Sequence, residues 1–395
     1  MTIRDLGYSP GSLSTGPTNS LLDVPGVHVG QVTVPTKQNL VAGSTATKGV
    51  TVICPRAPKD FWKPCRAGRF VFNGNGEVTG SGQVEDWGYT NTPISITNSL
   101  GLGSVIDATW HWIMGQQDKL NWDTLARSRH YGTPVVGETS DWLVNSETRH
   151  TALLMDDVRT AFANLKSLET GGFVQEGQHG GGAGMTCHGH AAGTGTASRV
   201  IGGTEHDSGK YTLGVLCQSN YGHIDALQIG GVPVGKILEK EGHSGILHEG
   251  TEPGGRTEDG SIVIIIVTDA PMSSTQLRRL ARHATAGLAL VGGHAIGSNF
   301  SGDIFLALST HEYGSEQVDV PLTAGLRPTQ TYGTEVVKNE SLEGLFQACA
   351  EATEEAILNS LVGGRWGTVG MDGRKIAGLP VERVRELIGR YCVKV

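Results

Sequence analysis

The chain has 395 residues, of which 38% are hydrophobic and 18% are charged, and its formal net charge is -8 at pH 7. This size and apolar content suffice for a buried core in one large α/β domain or two smaller ones. The negative charge argues against nucleic-acid binding, which depends on Lys and Arg neutralising phosphates. No apolar run approaches the roughly 18 residues of a membrane span, and the N-terminus lacks the apolar stretch of a signal peptide. We therefore expect a cytoplasmic protein with no nucleic-acid or membrane partner.

The glycine and cysteine contents narrow the class of protein further. The 58 glycines occur in short clusters without a G-X-Y period, which excludes collagen and indicates many close backbone approaches. The six cysteines are far apart and form no CxxC pair. Reduced thiols in a cytoplasmic protein are the simplest interpretation.

The first 260 residues alternate short β-branched runs with glycine turns, a pattern that predicts strands. The strand-sized runs are 27–34, 49–54, 93–97, 134–137 and 211–217. Two helices are predicted between them, over 103–116 and 149–168. The polar stretch 243–260, rich in Gly, Glu and Thr, then predicts an exposed loop.

The character of the chain changes at Ser261, which opens its most β-prone segment, SIVIIIVTDAP. The run of branched aliphatic residues predicts a strand that is covered on both faces. A helix is predicted over 274–290, a strand over 304–309, and a helix with a face of small residues over 342–361. Buried sheets covered by helices predict an αββα sandwich, in which two stacked mixed sheets are flanked by helices.

A polar, glycine-rich loop that runs directly into a buried strand at a serine permits autoproteolysis. The hydroxyl of Ser261 can attack the carbonyl of Gly260, an N→O shift then gives an ester, and water releases it. The freed serine carries a hydroxyl and an α-amine, whose pKa of about 8 lets it act as a base near neutral pH. Glycine suits the scissile position because it tolerates strained backbone angles. The pattern alone is more often that of an ordinary loop-to-strand junction.

From Thr18 to about Asn359 the chain resembles the L-aminopeptidase/D-amidase/D-esterase family (DmpA), which includes the β-peptidyl aminopeptidases. The matching segments occur in the family's order: TNSLLDVPGVHVGQVTV, PISITNSLGLGSV, VVGET, the glycine tract ending in GTGTASR, SNYG, DGSIVIIIVTDAP, SGDIFLALST and EATEEAILNSL. No single segment is decisive, but together they are highly specific.

The resemblance implies a precursor that is cut between Gly260 and Ser261. An α-fragment, 1–260, and a β-fragment, 261–395, would stay together in a single αββα domain spanning 1–395. This fold is of the DmpA and ornithine-acetyltransferase type, and the αβ units are expected to assemble as homo-oligomers.

Three catalytic assignments carry over from the family by position. Asn220, in SNYG, matches the asparagine whose side-chain amide helps to form the oxyanion hole. Ser301 and Asp303, in SGDIF, resemble the serine and the carboxylate that contact the nucleophile and its amine. Taken alone, each of these two motifs is typical of a turn.

Two substrate-binding assignments also rest on the resemblance. Glu138, in VVGET, resembles the acid that meets the free amino group of the substrate, since a buried ammonium must be paired. Trp142 would supply an apolar wall of the pocket. Family members similar to the D-amidase carry a tyrosine two residues after this glutamate, whereas this chain has Ser140. The departure leaves open the substrate side chain and the preference for α- or β-amino acids.

The glycine tract 177–198 permits two other interpretations, neither of which its residues support. It has no Walker motif and lacks the third glycine of GxGxxG, so it does not predict a phosphate loop. Cys187, His188 and His190 suggest a metal site, but a second pair of zinc ligands at suitable spacing is not evident. No GxSxG motif is present to anchor a Ser-His-Asp triad. The resemblance implies instead that the glycines let the tract pack closely around the active site, with neither metal nor cofactor.

The sequence therefore predicts a self-processing serine aminopeptidase or amidase. It would remove N-terminal residues from small peptides, amides or esters through an acyl-enzyme on Ser261. Two alternatives stay open. An amine could resolve the acyl-enzyme, giving an acyltransferase, or the substrate could be a specialised amide. An uncleaved, catalytically silent binding protein is the second alternative, although it would have no physical need for Ser261, Asn220, Ser301 and Asp303 together.

Overall fold

The computed structural model describes residues 1–36, 43–117, 132–145, 153–202, 209–243, 245–247, 260–293, 297–312 and 331–392. The strands in these ranges are β1 His28–Pro35, β2 Thr47–Cys54, β3 Cys65–Gly74, β4 Tyr89–Thr90, β5 Ile94–Asn98, β6 Val135–Thr139, β7 Thr186–Cys187, β8 His190–Ala191, β9 Thr194–Ile201, β10 Tyr211–Asn220, β11 Ile246–Leu247, β12 Gly260–Thr268, β13 Ser301–Ser309, β14 Thr368–Val369 and β15 Lys375–Ile376. The helices are α1 Ser81–Trp87, α2 Leu102–Gln117, α3 Trp142–Asn145, α4 Met155–Ala163, α5 Val234–Lys240, α6 Ser274–Val291, α7 Glu343–Gly363 and α8 Val381–Tyr391. Across the described ranges, no helix is both long and apolar enough to cross a bilayer.

Two mixed sheets are stacked face to face, and each carries helices on its outer side. The larger sheet has the order β4-β3-β13-β12-β10-β9, and the smaller has the order β1-β2-β5-β6. Each sheet contains one parallel pair, β12 with β13 at the centre of the larger sheet and β5 with β6 at one edge of the smaller sheet. Helices α6 and α7 pack on the larger sheet, and α2 and α4 pack on the smaller one. The layer order is therefore αββα, which confirms the prediction.

Strand β12 lies at the centre of the larger sheet and is buried along its whole length. Its even-numbered aliphatic residues join the apolar cluster beneath α6 and α7: Ile262, Ile264 and Ile266. Its odd-numbered ones join the cluster between the two sheets: Val263, Ile265 and Val267. Burial of each such side chain contributes roughly 1.5–3 kcal/mol, so this strand is held firmly from both sides. The prediction of a strand covered on both faces is confirmed.

The structure extends the predicted elements and adds others. Strand β13 begins three residues earlier than predicted, at Ser301, so that it includes both predicted polar residues. The helix predicted over 149–168 is observed as α4, which ends at Ala163, five residues before the predicted end, and the predicted first residues 149–152 lie outside the described ranges. The stretch before residue 260 also holds the short helices α1, α3 and α5, which apolar periodicity did not indicate.

Strand β3 was not predicted because its sequence, CRAGRFVFNG, mixes arginine and glycine into the apolar pattern. Gly68 in this strand is required by the packing of a helix against it. A Cβ added at Gly68 would lie 2.2 Å from the backbone nitrogen of Arg278, because α6 crosses the strand at that point. The terminal helix α8, also not predicted, buries Val384, Leu387 and Ile388 on one face.

Candidate active site

The nucleophile predicted from the sequence lies at the start of the central strand of the larger sheet. Ser261 is the second residue of β12 and is 8% exposed. It lies opposite Asn220 of the antiparallel neighbour β10 and opposite Gly302 of the parallel neighbour β13. In the same parallel register, Ser301 lies opposite Gly260. Adjacent strands thus bring together five positions that the sequence separates by up to 82 residues, from Asn220 to Gly302.

The hydroxyl of Ser261 lies beside the peptide carbonyl that it would attack. Its Oγ donates a hydrogen bond to the carbonyl oxygen of Gly260 at 2.7 Å. The same Oγ accepts the backbone N–H of Gly302 at 3.3 Å. The second contact orients the hydroxyl from the neighbouring strand, and sequence reasoning missed it because it comes from a main-chain group.

The pair Ser301 and Asp303 lies on one face of β13, as residues two apart on a strand must. The Ser301 hydroxyl donates to Asp303 Oδ1 at 2.5 Å, and both side chains are fully buried. The backbone of Ser301 is held in turn by Asn75, whose N–H donates to its carbonyl oxygen at 3.1 Å. A buried carboxylate that accepts a hydroxyl proton can hold an ammonium group or direct proton transfer beside it.

The side-chain amide of Asn220 is fixed at both ends by main-chain groups. Its Oδ1 accepts the N–H of Thr186 at 3.0 Å, and its Nδ2 donates to the carbonyl oxygen of Ser140 at 2.8 Å. Nδ2 carries two protons, and the contact with Ser140 uses one of them. The orientation of the second proton is then set by the plane of the amide. Because the acceptor is a main-chain carbonyl, a serine at position 140 supplies it as well as a tyrosine would.

Glu138 lies in the smaller sheet, close to the segment that crosses Gly302. Its Oε1 accepts the N–H of Glu77 at 3.0 Å, and its Oε2 accepts the hydroxyl of Ser99. A Cβ added at Gly76 would lie 3.1 Å from the Cα of Gly302 and 3.6 Å from Glu138 Oε1. Gly76 thus lies between the carboxylate of Glu138, which is predicted to bind the substrate amine, and Gly302, the ladder partner of Ser261.

Trp142 begins helix α3, two residues after Ser140, and its side chain is 44% exposed. The hydrogen bonds of the Ser261 hydroxyl to Gly260 and Gly302 do not involve it. Its assignment as a pocket wall stays a prediction.

Tyr221 is a neighbour of the site that sequence reasoning quoted within SNYG without giving it a role. Its side chain is buried, and it packs edge-on against His188 with ring centroids 5.1 Å apart. Burial raises the pKa of its hydroxyl well above the usual range, and the nearby carboxylate of Asp303 adds to that effect. Tyr221 therefore stays protonated near Asp303.

The glycine tract packs closely against the strand that carries Asn220. A Cβ added at Gly181 would lie 2.2 Å from Gln218 Oε1 and 2.3 Å from the carbonyl oxygen of Ile96. The same tract supplies Thr186, whose N–H holds the amide of Asn220. Among the described residues, no three His, Cys, Asp or Glu side chains are grouped so as to hold a metal ion.

The αββα layers, with a serine at the start of a central strand, define the class of the N-terminal-nucleophile hydrolases. Within that class the chain belongs to peptidase family S58, whose family model matches residues 19–376. It is therefore a peptide-bond hydrolase of the N-terminal-nucleophile type.

Comparison with individual proteins agrees with this assignment. The chain is 37% identical over 400 residues to the β-peptidyl aminopeptidase BapA of Sphingosinicella microcystinivorans, covering 98% of this chain and 92% of that protein. The structure of a Burkholderia sp. β-aminopeptidase matches with a TM-score of 0.81 and 36% identity, covering 100% of both chains. The L-aminopeptidase D-Ala-esterase/amidase of Ochrobactrum anthropi, described as a prototype for the serine aminopeptidases and a variant of the Ntn hydrolase fold, matches with a TM-score of 0.79 and 34% identity, covering 99% of this chain and 98% of that one.

Proposed function

We propose that this peptidase cuts itself between Gly260 and Ser261 and then acts as an aminopeptidase or amidase with Ser261 as its N-terminal nucleophile. The observation that carries the proposal is the Ser261 hydroxyl, which lies 2.7 Å from the Gly260 carbonyl oxygen and accepts the N–H of Gly302. A serine hydroxyl held beside the carbonyl of its own preceding residue is close to the carbon that Oγ attacks in an N→O shift.

Self-cleavage proceeds in two steps, an N→O acyl shift and the hydrolysis of the resulting ester. Oγ of Ser261 adds to the carbonyl carbon of Gly260 and gives up its proton, the C–N bond breaks, and the departing nitrogen takes that proton to become the α-amine. Water then hydrolyses the resulting ester, which leaves a carboxylate on Gly260 and restores the serine hydroxyl. The products are fragments 1–260 and 261–395.

In turnover, the new α-amine of Ser261 takes the hydroxyl proton as Oγ attacks the substrate carbonyl. Asn220 donates its second amide proton to the developing oxyanion, a contribution of roughly 3–4 kcal/mol to lowering the barrier. Asp303 and Ser301 hold the protonated amine and pass the proton to the leaving group. Water resolves the acyl-enzyme, and no cofactor takes part.

The substrate proposed is a small peptide, amide or ester whose acyl part carries a free amino group, which Glu138 pairs. The names of the relatives support this class, since two are β-aminopeptidases and one is an L-aminopeptidase. Trp142 forms an apolar side of the pocket in this proposal. The proposal also includes a cytoplasmic location for the enzyme and its assembly into homo-oligomers of αβ units.

The test is a denaturing gel with intact-mass measurement of purified protein. We expect two fragments that meet at Gly260 and Ser261, and a Ser261→Ala variant that is neither cut nor active. Ser309→Ala is the matched control. Ser309 is a buried serine at the far end of β13, bonded to the Ala270 carbonyl at 2.7 Å, so its loss should leave cutting and activity intact. Full activity in a single uncut chain would refute the proposal.

A further inference from the structure

A buried ion pair lies directly behind the turn that carries Ser140. The Nζ of Lys48 is 3.1 Å from Asp141 Oδ2, and the two side chains are only 2% and 0% exposed. Lys48 lies near the start of β2, and Asp141 follows Ser140 between β6 and α3. Neither residue was singled out from the sequence, and neither takes part in the chemistry proposed above.

The carboxylate of Asp141 collects donors from three separate elements. Besides Lys48 of β2, Asn98 at the end of β5 donates to Oδ1 at 3.2 Å, and Asn145 of α3 donates to Oδ2 at 2.6 Å. Asn145 Nδ2 also donates to the carbonyl oxygen of Thr47 at 2.9 Å. Three elements thus converge on one side chain and fix its backbone in place.

The anchored backbone is the one that orients Asn220. The carbonyl of Ser140 belongs to the peptide group that it shares with Asp141, and its oxygen accepts Asn220 Nδ2 at 2.8 Å. The glycine tract is built onto the same cluster, because a Cβ added at Gly184 would lie 2.5 Å from Asn145 Nδ2. Two residues further along, Thr186 holds the other end of the Asn220 amide. Both groups that orient the amide therefore rest on the cluster around Asp141.

Stability alone does not account for a buried charge pair at this position. Replacing such a pair by apolar residues of similar volume is often neutral or stabilising, because both charges must be desolvated on folding. Orientation, in contrast, requires directional contacts, and a displacement of about 1 Å at a catalytic group can cost on the order of 100-fold in rate.

We propose that Lys48 and Asp141 are positioning residues, which fix the Ser140 carbonyl and thereby aim the Asn220 amide at the developing oxyanion. The inference rests on the oxyanion role proposed for Asn220. It assigns no contact with substrate to either charged residue.

The test compares kcat, KM and thermal unfolding of the self-cut enzyme, using an amino-acid p-nitroanilide as the substrate. The double variant Lys48→Met/Asp141→Leu removes both charges together, so that no unpaired charge stays buried. We expect its kcat to fall at least about tenfold, with a much smaller change in KM, because an oxyanion contact acts mainly in the transition state. If this variant does not fold, Lys48→Met/Asp141→Asn, which also removes both charges but keeps the volume and one acceptor oxygen at position 141, carries the same test with a smaller expected loss.

A buried pair elsewhere in the fold provides the matched control. Arg199 Nη2 is 2.7 Å from Glu355 Oε2, and both side chains are fully buried. Arg199 lies opposite Leu213 in the ladder, and Leu213 is about 23 Å along β10 from Asn220 at the usual rise per residue. We expect Arg199→Met/Glu355→Leu to change the unfolding temperature and to leave kcat per cut enzyme unaltered.

A double-mutant cycle distinguishes the positioning role of Lys48 and Asp141 from the oxyanion role of Asn220. In an Asn220→Ala background, the Lys48→Met/Asp141→Leu change should cost less than about twofold in kcat. An equal loss in both backgrounds, or an unchanged kcat in the wild-type background, would overturn the positioning role alone. A wild-type kcat for Asn220→Ala itself would instead overturn the oxyanion assignment on which the inference rests.

Discussion

Replacing Asn220 with alanine removes one hydrogen-bond donor from the proposed oxyanion hole. Loss of one such donor costs roughly 2.7–4 kcal/mol of transition-state stabilisation, so we expect kcat to fall about 10²–10³-fold. KM should change little, because the amide acts on charge that develops only as Ser261 attacks.

The structure also gives the expected cost in stability. The substitution leaves the N–H of Thr186 and the carbonyl of Ser140 without the partners that they have at 3.0 and 2.8 Å. Each lost hydrogen bond costs about 1 kcal/mol at a partly buried position, so the unfolding temperature should fall by no more than a few degrees. The effect on rate is therefore much larger than the effect on folding.

The assay measures initial rates on an amino-acid p-nitroanilide, divided by the amount of cut enzyme determined from a denaturing gel. This correction is needed because the same amide is available to the self-cleavage step. Asn220→Asp is an informative companion. It keeps an acceptor for Thr186 but turns an oxygen toward the Ser140 carbonyl, so both rate and stability should fall. A kcat for Asn220→Ala within about threefold of wild type would contradict the oxyanion role of Asn220, since the donor would then contribute less than about 0.7 kcal/mol.

Two further predictions concern the close packing at Gly76 and the buried His190. Gly76→Ala places a Cβ 3.1 Å from the Cα of Gly302 and 3.6 Å from Glu138 Oε1, so we expect KM to rise several-fold while self-cleavage continues. A wild-type KM would show that this spacing does not limit the amine site. Desolvation lowers the pKa of the buried His190 to about 4, so the unfolded chain binds a proton before the folded protein does as pH falls below about 6.5. The free energy of unfolding should then decrease as the pH falls from 6.5 to 4, by up to about 1.4 kcal/mol per pH unit, relative to the His190→Gln variant. If the free energies of unfolding of the two proteins show the same dependence on pH, this prediction is wrong.

The strand at the centre of the fold was predictable because its physical signal is local. A run of branched aliphatic residues has few ways to be buried other than between two layers, and β12 is buried throughout. Helix α6 was predictable for a similar reason, since its apolar stripe and its N-cap Ser273 lie within one continuous segment of the sequence. Strand β3 carries no such signal, because Gly68 is required by a helix more than 200 residues later in the chain.

The active site was predictable in its residues but not in its arrangement. The resemblance named Ser261 and Asn220, whereas their opposition in the ladder depends on a strand register that the sequence does not state. The groups that orient them were missed because they are mostly main-chain atoms, such as the N–H of Gly302 and of Thr186. A backbone donor has no residue type of its own, so no motif reports it.

The fold explains how a chain cut at Gly260 would keep its active site. Strands β12 and β13, from the proposed β-fragment, pair on their outer sides with β10 and β3 of the α-fragment. Helix α7 lies across β9 and β10, where Glu355 bonds both Arg4 and the buried Arg199. Breaking one peptide bond at the first residue of β12 leaves these ladders and ion pairs intact. The tertiary structure therefore does not depend on the bond that is proposed to break. After such a cut, the new amine of Ser261 would stay in the register opposite Gly302, which lies between Ser301 and Asp303.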